Sequence, residues 1–210
     1  MNISGIRKDY KLKQLDTTDV NVDPFLQFKT WFGEALQAKV NEPNAMNLST
    51  IKESGRPSSR IVLLKGIEED GFVFYTNYES HKGSELQAKP FGALCFFWPE
   101  LERQVRVEGE ILKVAAATSD EYFQSRPYES RLGAWVSPQS KIIENRSILE
   151  KTFELVKEKY PVDVPRPAHW GGYVLIPDYI EFWQGRESRL HDRVVYTFTN
   201  NVWKINRLAP

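Results

Sequence analysis

The stretch MNLSTIKESGRPSSRIVLLKGIEEDGFVFYT, residues 46–76, decides the fold class of this chain. Residues 46–51 alternate between apolar and polar side chains, and residues 59–65 and 72–76 are rich in β-branched and aromatic side chains. Turn sequences, the second of them Asp70-Gly71, separate these runs. Three short runs joined by turns predict three consecutive antiparallel strands, which form a β meander.

The pattern continues on both sides of the meander. Further strands are predicted at residues 91–98, 103–114, 172–176, 179–184, 193–199 and 202–208. Helices are predicted at residues 24–40 with Asp23 as N-cap, at 80–87 with Ser80 as N-cap, at 118–125 after a capping box, and within 138–160. Many short sequential strands with few helices predict a mainly antiparallel β protein with helices (α+β), arranged as a closed barrel.

Composition favours a single domain without a global charge. The chain has 210 residues, 28 basic and 28 acidic, so any anion must be bound by a local cluster, and neither nucleic acid nor an anionic membrane is an expected partner. Residues 1–23 carry few large apolar side chains and are predicted to form a flexible segment, while residues 24–210 form the domain. No apolar run resembles a signal peptide or a membrane span, so a cytoplasmic protein is expected.

Several common chemistries lack their sequence patterns. There is no glycine-rich dinucleotide motif after a strand, no P-loop and no nucleophile elbow. His81, His169 and His191 lack the spacing of metal ligands, so no metal site is expected. Cys95 is the single cysteine and lies in an apolar run, where a buried, unreactive thiol is expected.

Candidate functional residues concentrate near the C-terminus, in IEFWQGRESRLHDR, residues 180–193. An aromatic strand breaks at Gly185, and Arg189, His191 and Arg193 then follow at every second position. If that part is extended, the three side chains share one face and suit a phosphorylated ligand. The alternative is a surface strand whose charges are solvated. Other cations lie beside hydroxyl and amide side chains: Arg60, Lys65, Lys82, Arg126 and Arg131.

These residues resemble the signature of the pyridoxine/pyridoxamine 5′-phosphate oxidases. Residues 181–184 (EFWQ) and 189–193 (RLHDR) carry the strongest likeness. Further motifs in the family's order are RIVLLK at 60–65, FYTN at 74–77, LERQV at 101–105, SRP at 125–127, GAWVS at 133–137, HWGG at 169–172 and RLAP at 207–210. The resemblance extends from about Arg7 to the C-terminus.

The resemblance implies an FMN-dependent oxidase with a split β-barrel fold, acting as a homodimer that holds FMN at the subunit interface. Such an enzyme oxidises pyridoxine or pyridoxamine 5′-phosphate to pyridoxal 5′-phosphate by hydride transfer to FMN, and dioxygen accepts the electrons to give hydrogen peroxide. The alternative is a split-barrel protein that binds FMN or pyridoxal phosphate without turnover. The complete substrate set favours the oxidase, because a flavin carrier has no need of it.

The resemblance also implies individual roles. The residues implied for FMN are Arg60, Ile61, Val62, Leu63, Lys65, Tyr75, Thr76, Ser80, Lys82, Gln104, Gln139, Ser140, Trp183 and Arg193. Those implied for the substrate phosphate are Lys65, Tyr122, Arg126 and Ser130, while Arg189 and His191 would meet the pyridine ring and its reacting group as catalytic residues. Arg7 to Tyr10 would form a mobile cover. His81 departs from the family, in which arginine is common at this position, and Glu42 stands where Asp is frequent.

Overall fold

The computed structural model describes residues 1, 3–5, 9–68 and 71–210. Its strands are β1 Ala45–Ile51, β2 Pro57–Leu63, β3 Gly66–Glu68, β4 Gly71–Asn77, β5 Phe91–Trp98, β6 Arg103–Lys113, β7 Trp170–Gln184, β8 Asp192–Thr199 and β9 Val202–Leu208. Its α-helices are α1 Pro24–Gln37, α2 His81–Ala88, α3 Ala116–Ser125, α4 Tyr128–Val136 and α5 Ser147–Lys159. The predicted class, antiparallel β with helices, is confirmed.

The strand order is β2-β1-β5-β6-β7-β4-β3, and β8 with β9 branches from β7. Along one edge β7 pairs with β6, and along the other it pairs first with β4 and then with β8. The sheet therefore splits along β7. The two strands predicted at 172–176 and 179–184 are one, because the register shift at Pro177 and Asp178 absorbs the proline as a bulge.

The hydrogen-bonded path has two ends, at β2 and β3, and no pairing joins these two strands within the described residues. The closed barrel expected from strand number alone is therefore wrong, and a split barrel takes its place. Strand number does not determine closure, which depends on tilt and stagger.

Helix α1 closes one end of the barrel. The Asp23 carboxylate accepts the backbone N–H of Phe25 at 2.8 Å, as the predicted N-cap requires. Phe28, fully buried, meets Phe72 edge to face at 5.0 Å and Phe96 at 5.1 Å. Truncating Phe28 to alanine would cost about 3–5 kcal/mol, the usual range for a buried phenylalanine. This aromatic core gives the strands that carry the site a rigid support.

The helices differ from the sequence predictions in several places. Helix α3 begins at Ala116, two residues before the expected capping box, and no side chain caps it. Residues 138–146 are not helical, so the long predicted helix is reduced to α5. Helix α4 was not predicted. Helix α4 follows Pro127, which offers no side-chain cap, so the strongest signal of a helix start is missing there from the sequence.

A second, smaller apolar cluster lies beneath α3 and α4, built from Phe123, Leu132, Ala134, Val164 and Trp170. It attaches the two helices to the start of β7. None of the helices in the described parts of the chain is both long and apolar enough to cross a membrane.

Candidate functional site

A cavity of about 670 Å³ lies where β2 and β4 face α3 and α4. The residues implied by the resemblance that line it are Ile61, Val62, Leu63, Lys65, Tyr75, Thr76, Lys82, Tyr122, Arg126, Ser130 and Gln139. Further lining residues, for which no role was predicted, are Asn77, Pro127, Gly133, Ala134, Ser137 and Trp170. One chain thus brings together most of the predicted cofactor residues and all four predicted for the substrate phosphate.

Arg126 is the cation most clearly prepared for an anion. It caps the C-terminus of α3, and its guanidinium lies 4.5 Å from the centroid of the Trp170 ring. Its Nη1 atom is buried without a hydrogen-bond partner in the described structure. Burial lowers the pKa of Arg126, and no described carboxylate forms an ion pair with it. A buried guanidinium nitrogen without a hydrogen-bond partner is costly, and a bound phosphate would supply both the partner and a counter-ion.

An aromatic stack forms the wall beside Arg126. The Tyr75 and Tyr122 rings are parallel at 3.8 Å, and Trp170 stacks on Tyr75 at 5.5 Å. Burial, followed by the Glu68 charge, raises the pKa of Tyr75 to about 12, so its hydroxyl remains protonated and can donate a hydrogen bond. The stack restricts Tyr122 to one orientation toward the cavity.

Lys82 forms a second cationic point near the N-terminus of α2. Its Nζ donates to Thr76 Oγ1 at 3.1 Å and to Gln139 Oε1 at 3.2 Å. Ser80 is the N-cap, and its Oγ accepts the Gly83 N–H. Burial first, and then the Arg60 charge, lowers the pKa of Lys82. A phosphate here would meet an ammonium, hydroxyls and a helix N-terminus together.

Two residues implied for FMN, Arg60 and Ser140, lie beside the cavity rather than in its lining, and so does His81. Arg60 is ion-paired to Glu85, with Nη2 2.9 Å from Oε2, and also donates to Ser58. Ser140 is exposed and left-handed with φ 70°, directly after Gln139. His81 is exposed at the first position of α2. Glu85, which holds Arg60, carried no role in the sequence analysis.

The remaining predicted residues form a separate group, the C-terminal cluster: Tyr10, Gln104, Trp183, His191 and Arg193. The Trp183 and His191 rings are 4.6 Å apart, and Tyr10 meets them at 5.7 and 5.9 Å. Gln104 and Arg193 pair with Trp183 from the neighbouring strands. No member of the cluster lines the cavity of the same chain.

Arg189 lies beside the C-terminal cluster but not on a strand. Residues Glu187–Arg189 form a 3-10 turn, and Ser188 and Arg189 have left-handed φ values of 56° and 61°. The expected extended conformation with three side chains on one face is therefore wrong. Alternating side chains in a five-residue window fit a strand and an irregular turn equally well. Arg7 lies outside the described residues.

His191 is held in one orientation by the backbone. The Arg186 N–H lies 3.1 Å from His191 Nδ1, so Nδ1 accepts and the neutral ring carries its proton on Nε2. Burial, and then the Arg189 charge, lowers the pKa of His191, while Asp192 opposes the change. At neutral pH the cluster therefore presents an uncharged imidazole with an Nε2–H donor.

Arg193 is held by a buried carboxylate. Glu181, only 1% exposed, accepts from Arg193 Nε at 2.8 Å and from Nη2 at 3.0 Å, and Arg106 donates to it at 3.1 Å. Burial would raise the pKa of Glu181, but hydrogen bonds from Arg193 and Tyr179 hold it below its usual value. Glu181 lies in the EFWQ motif, and no role was predicted for it. The sequence signal that could have identified it as functional is an acidic side chain between apolar neighbours.

The described residues contain no group of three or more His, Cys, Asp or Glu placed to hold a metal ion. A split antiparallel barrel with a cationic cavity walled by aromatic rings defines a class of protein suited to phosphorylated aromatic ligands. Residues 32–160 match the family model described as "Pyridoxamine 5'-phosphate oxidase". Residues 170–210 match the one described as "Pyridoxine 5'-phosphate oxidase C-terminal dimerisation region". The chain belongs to the pyridoxine/pyridoxamine 5′-phosphate oxidase family, as its motifs predicted.

Curated relatives support this assignment over the full length. A pyridoxine/pyridoxamine 5′-phosphate oxidase of Cytophaga hutchinsonii is 57% identical, covering 100% of this chain and 99% of the relative. Another, from Actinobacillus succinogenes, is 55% identical and covers 100% of both chains.

Solved structures agree on the fold. PhzG from Burkholderia lata 383, solved in complex with tetrahydrophenazine-1-carboxylic acid, superposes with a TM-score of 0.91 at 28% identity, covering 97% of this chain and 100% of PhzG. A pyridoxamine 5′-phosphate oxidase-related, FMN-binding protein of Nostoc punctiforme gives a TM-score of 0.71 at 19% identity, covering 87% of this chain and 97% of that protein. The split-barrel fold is confirmed.

Proposed function

We propose that this chain is a pyridoxine/pyridoxamine 5′-phosphate oxidase that produces pyridoxal 5′-phosphate. It is an oxidoreductase and a flavoprotein of pyridoxal phosphate biosynthesis, in keeping with relatives 57% and 55% identical over its full length. The observation that carries the assignment of a phosphorylated substrate is the unpaired, buried Nη1 of Arg126 in the cavity wall.

The cavity fits FMN, because Lys82, Thr76 and Gln139 form a polar group at one side and Ile61 and Leu63 supply exposed apolar surface at another. Lys82 and Ser80 would hold the flavin phosphate, with Arg60 close enough to lower the pKa of Lys82. Bound FMN supplies the hydride acceptor, which dioxygen reoxidises with release of hydrogen peroxide.

Arg126, Lys65, Tyr122 and Ser130 would hold the substrate phosphate. All four line the same cavity, and the stacked Tyr75 keeps Tyr122 in place. Charge-assisted hydrogen bonds from a preorganised group fix the substrate so that its reacting carbon stays in one position, which lowers the entropic part of the barrier.

His191 and Arg189 would contact the pyridine ring and its reacting substituent. Because Nδ1 of His191 is occupied by the Arg186 N–H, Nε2–H is the donor available to the substrate. Arg189 adds a charged hydrogen-bond donor that would help to hold the ring and its reacting substituent in one position. Neither side chain has to act as a nucleophile.

We also propose that the working protein is a homodimer with FMN at the subunit interface. The C-terminal cluster does not line the cavity of its own chain, so a complete site needs the cluster of a second copy. The match of residues 170–210 to a dimerisation region supports this arrangement, since that range includes Trp183, His191 and Arg193 of the cluster. Residues 1–23 would then act as a substrate cover, and residues 24–210 as the single FMN-binding domain.

The test is turnover by the purified, FMN-loaded protein. Given pyridoxamine 5′-phosphate, it should consume dioxygen and release pyridoxal 5′-phosphate, ammonia and peroxide, and pyridoxine 5′-phosphate should give the same aldehyde without ammonia. A sample that binds FMN but yields neither aldehyde nor peroxide from either substrate would support the non-catalytic binding protein instead.

A further inference from the structure

We propose that Glu102 is a positioning residue that fixes the N-terminal segment over the C-terminal cluster and thereby sets substrate affinity. The inference rests on the proposed function for its kinetic consequence, whereas the anchoring itself follows from contacts in the chain. Glu102 lies in the turn between β5 and β6 and is 3% exposed. Its φ of 55° is left-handed, a conformation that a non-glycine residue adopts at some cost.

The side chain of Glu102 binds the backbone of the N-terminal segment. Its Oε2 accepts the Lys11 N–H at 2.8 Å and the Leu12 N–H at 3.1 Å. One carboxylate oxygen thus holds two consecutive amides, and hydrogen bonds to a charged acceptor are the stronger kind. The segment is therefore fixed at a defined point of its main chain, independently of its own side chains.

The backbone of Glu102 binds the opposite partner. Its carbonyl oxygen accepts the Gly185 N–H at 2.8 Å and Gln184 Nε2 at 3.2 Å. Gly185 directly follows the strand that carries Trp183. A single residue consequently binds both the N-terminal segment and Gly185, just past the end of strand β7 beside the C-terminal cluster. The position of the segment relative to the cluster is therefore fixed through Glu102.

Tyr10 shows why this distance matters. It is the residue before Lys11, and its ring packs on Gly185 so closely that a Cβ there would lie 2.6 Å from Tyr10 Cγ. The same ring meets Trp183 and His191 edge to face. If the anchor is lost, Tyr10 loses its fixed place on the two rings that the proposed function assigns to cofactor and substrate.

A nearby ion pair offers a matched control. Lys11 also pairs with Glu187 through their side chains at 3.3 Å, but both side chains are 64% exposed. Exposed pairs of this kind contribute little, because water and salt screen them. The buried backbone contacts of Glu102, rather than this surface pair, therefore hold the segment.

The experiment compares Glu102→Gly with Glu187→Gln in the full, FMN-loaded protein. Glycine relieves the left-handed backbone while removing the carboxylate, so the variant should fold, with an unchanged melting temperature. In Glu102→Gly, trypsin should cleave after Lys11 and Lys13 roughly tenfold faster than in the parent, as measured by mass spectrometry. KM for pyridoxamine 5′-phosphate should rise roughly tenfold, while kcat and FMN affinity stay within about twofold. Glu187→Gln should leave all five quantities unchanged: melting temperature, cleavage rate, KM, kcat and FMN affinity.

A second variant displaces Tyr10 by changing Gly185 instead of Glu102. Gly185→Ala places a methyl group against Tyr10 and should raise KM with Glu102 intact. Unchanged cleavage in Glu102→Gly would overturn the anchor, and faster cleavage with unchanged KM would overturn the positioning role. If the parent shows no oxidase activity, the proposed function fails, and the cleavage rates still decide the anchor separately.

Discussion

The cations of the cavity and those beside the C-terminal cluster differ in how their charge is balanced. In the described structure Arg126 and Lys65 form no ion pair, and a buried Arg126 nitrogen has no hydrogen-bond partner. Arg193 is bound bidentately by the buried Glu181, and Arg186 lies 3.4 Å from Asp192. The first arrangement leaves charge for a ligand, and the second uses charge to fix geometry.

This difference teaches that the same residue type has two functions in the two regions. An unpaired buried guanidinium is destabilising until an anion arrives, so it contributes binding energy. A paired guanidinium has already lost its freedom and most of its free charge, so it contributes orientation and a few remaining donors. Sequence motifs assign both kinds to the same ligands and cannot separate them.

The largest expected effect is that of Arg126→Ala. Loss of the unpaired cation should lower kcat/KM for pyridoxamine 5′-phosphate roughly 100-fold or more, mostly through KM, because more than one charge-assisted hydrogen bond is lost. FMN should remain bound, as its visible spectrum would report. The control is Arg146→Ala, at an exposed i,i+4 pair on α5. Comparable losses in both variants would remove the distinction between ligand-binding and structural cations.

The second prediction tests whether the two regions come from different subunits. A purified heterodimer of Arg126→Ala and Arg189→Ala chains has one site with both changes and one with neither, so it should recover about half of the parent activity although each homodimer is nearly inactive. The matched control combines Arg126→Ala with Lys65→Ala, both in the cavity. Each of its sites carries one change, so recovery in the control would contradict a site shared between subunits.

A roughly tenfold effect is expected from Lys82→Met on FMN affinity. Riboflavin, which lacks the phosphate, should bind the variant and the parent alike in a fluorescence titration. Because the half-buried Lys82 has no ion pair among the described residues and burial lowers its pKa, methionine should not reduce the melting temperature. Lys89→Met, at the other end of α2, is the control. Equal losses of FMN and riboflavin would show that Lys82 does not act on the phosphate.

Much of the fold could be predicted because apolar and polar side chains alternate along several strands and because turn sequences such as Asp70-Gly71 separate them. Helix α1 was found from Asp23, Pro24 and its aromatic stripe, and the structure ends it at Gln37, three residues before the predicted end. The errors arose where local pattern and tertiary context disagree. Pro177 ends a strand by its chemistry, yet a bulge keeps β7 continuous. The alternating residues 189–193 begin in a 3-10 turn and reach a strand only at Asp192.

The candidate site was partly readable for a similar reason. Cations and hydroxyls that touch a ligand carry recognisable motifs, and the cavity assembles Lys65, Tyr122, Arg126 and Ser130. Residues that hold other parts of the chain in place were missed. The partner of Glu102 is distant in sequence, and Glu181 offered only its acidic side chain between apolar neighbours as a signal. Separations of 91 residues between Lys11 and Glu102 cannot be inferred from one sequence.

The smallest expected effect concerns the charge near His191. Burial and the Arg189 charge lower the pKa of His191 from its usual 6.5, with Asp192 opposing. Protonation is therefore harder in the folded chain, so this residue reduces stability as pH falls from above 6.5 through the lowered pKa.

Arg189→Gln should raise the pKa of His191, and high salt should do the same in the parent, because Arg189 is exposed. NMR titration of the His191 ring measures the effects of Arg189→Gln and of salt on this pKa. The His191 signals are identified by their absence in His191→Asn, and Arg146→Gln is the control. A pKa that responds to neither Arg189→Gln nor salt would mean that the exposed Arg189 has no electrostatic influence on the imidazole.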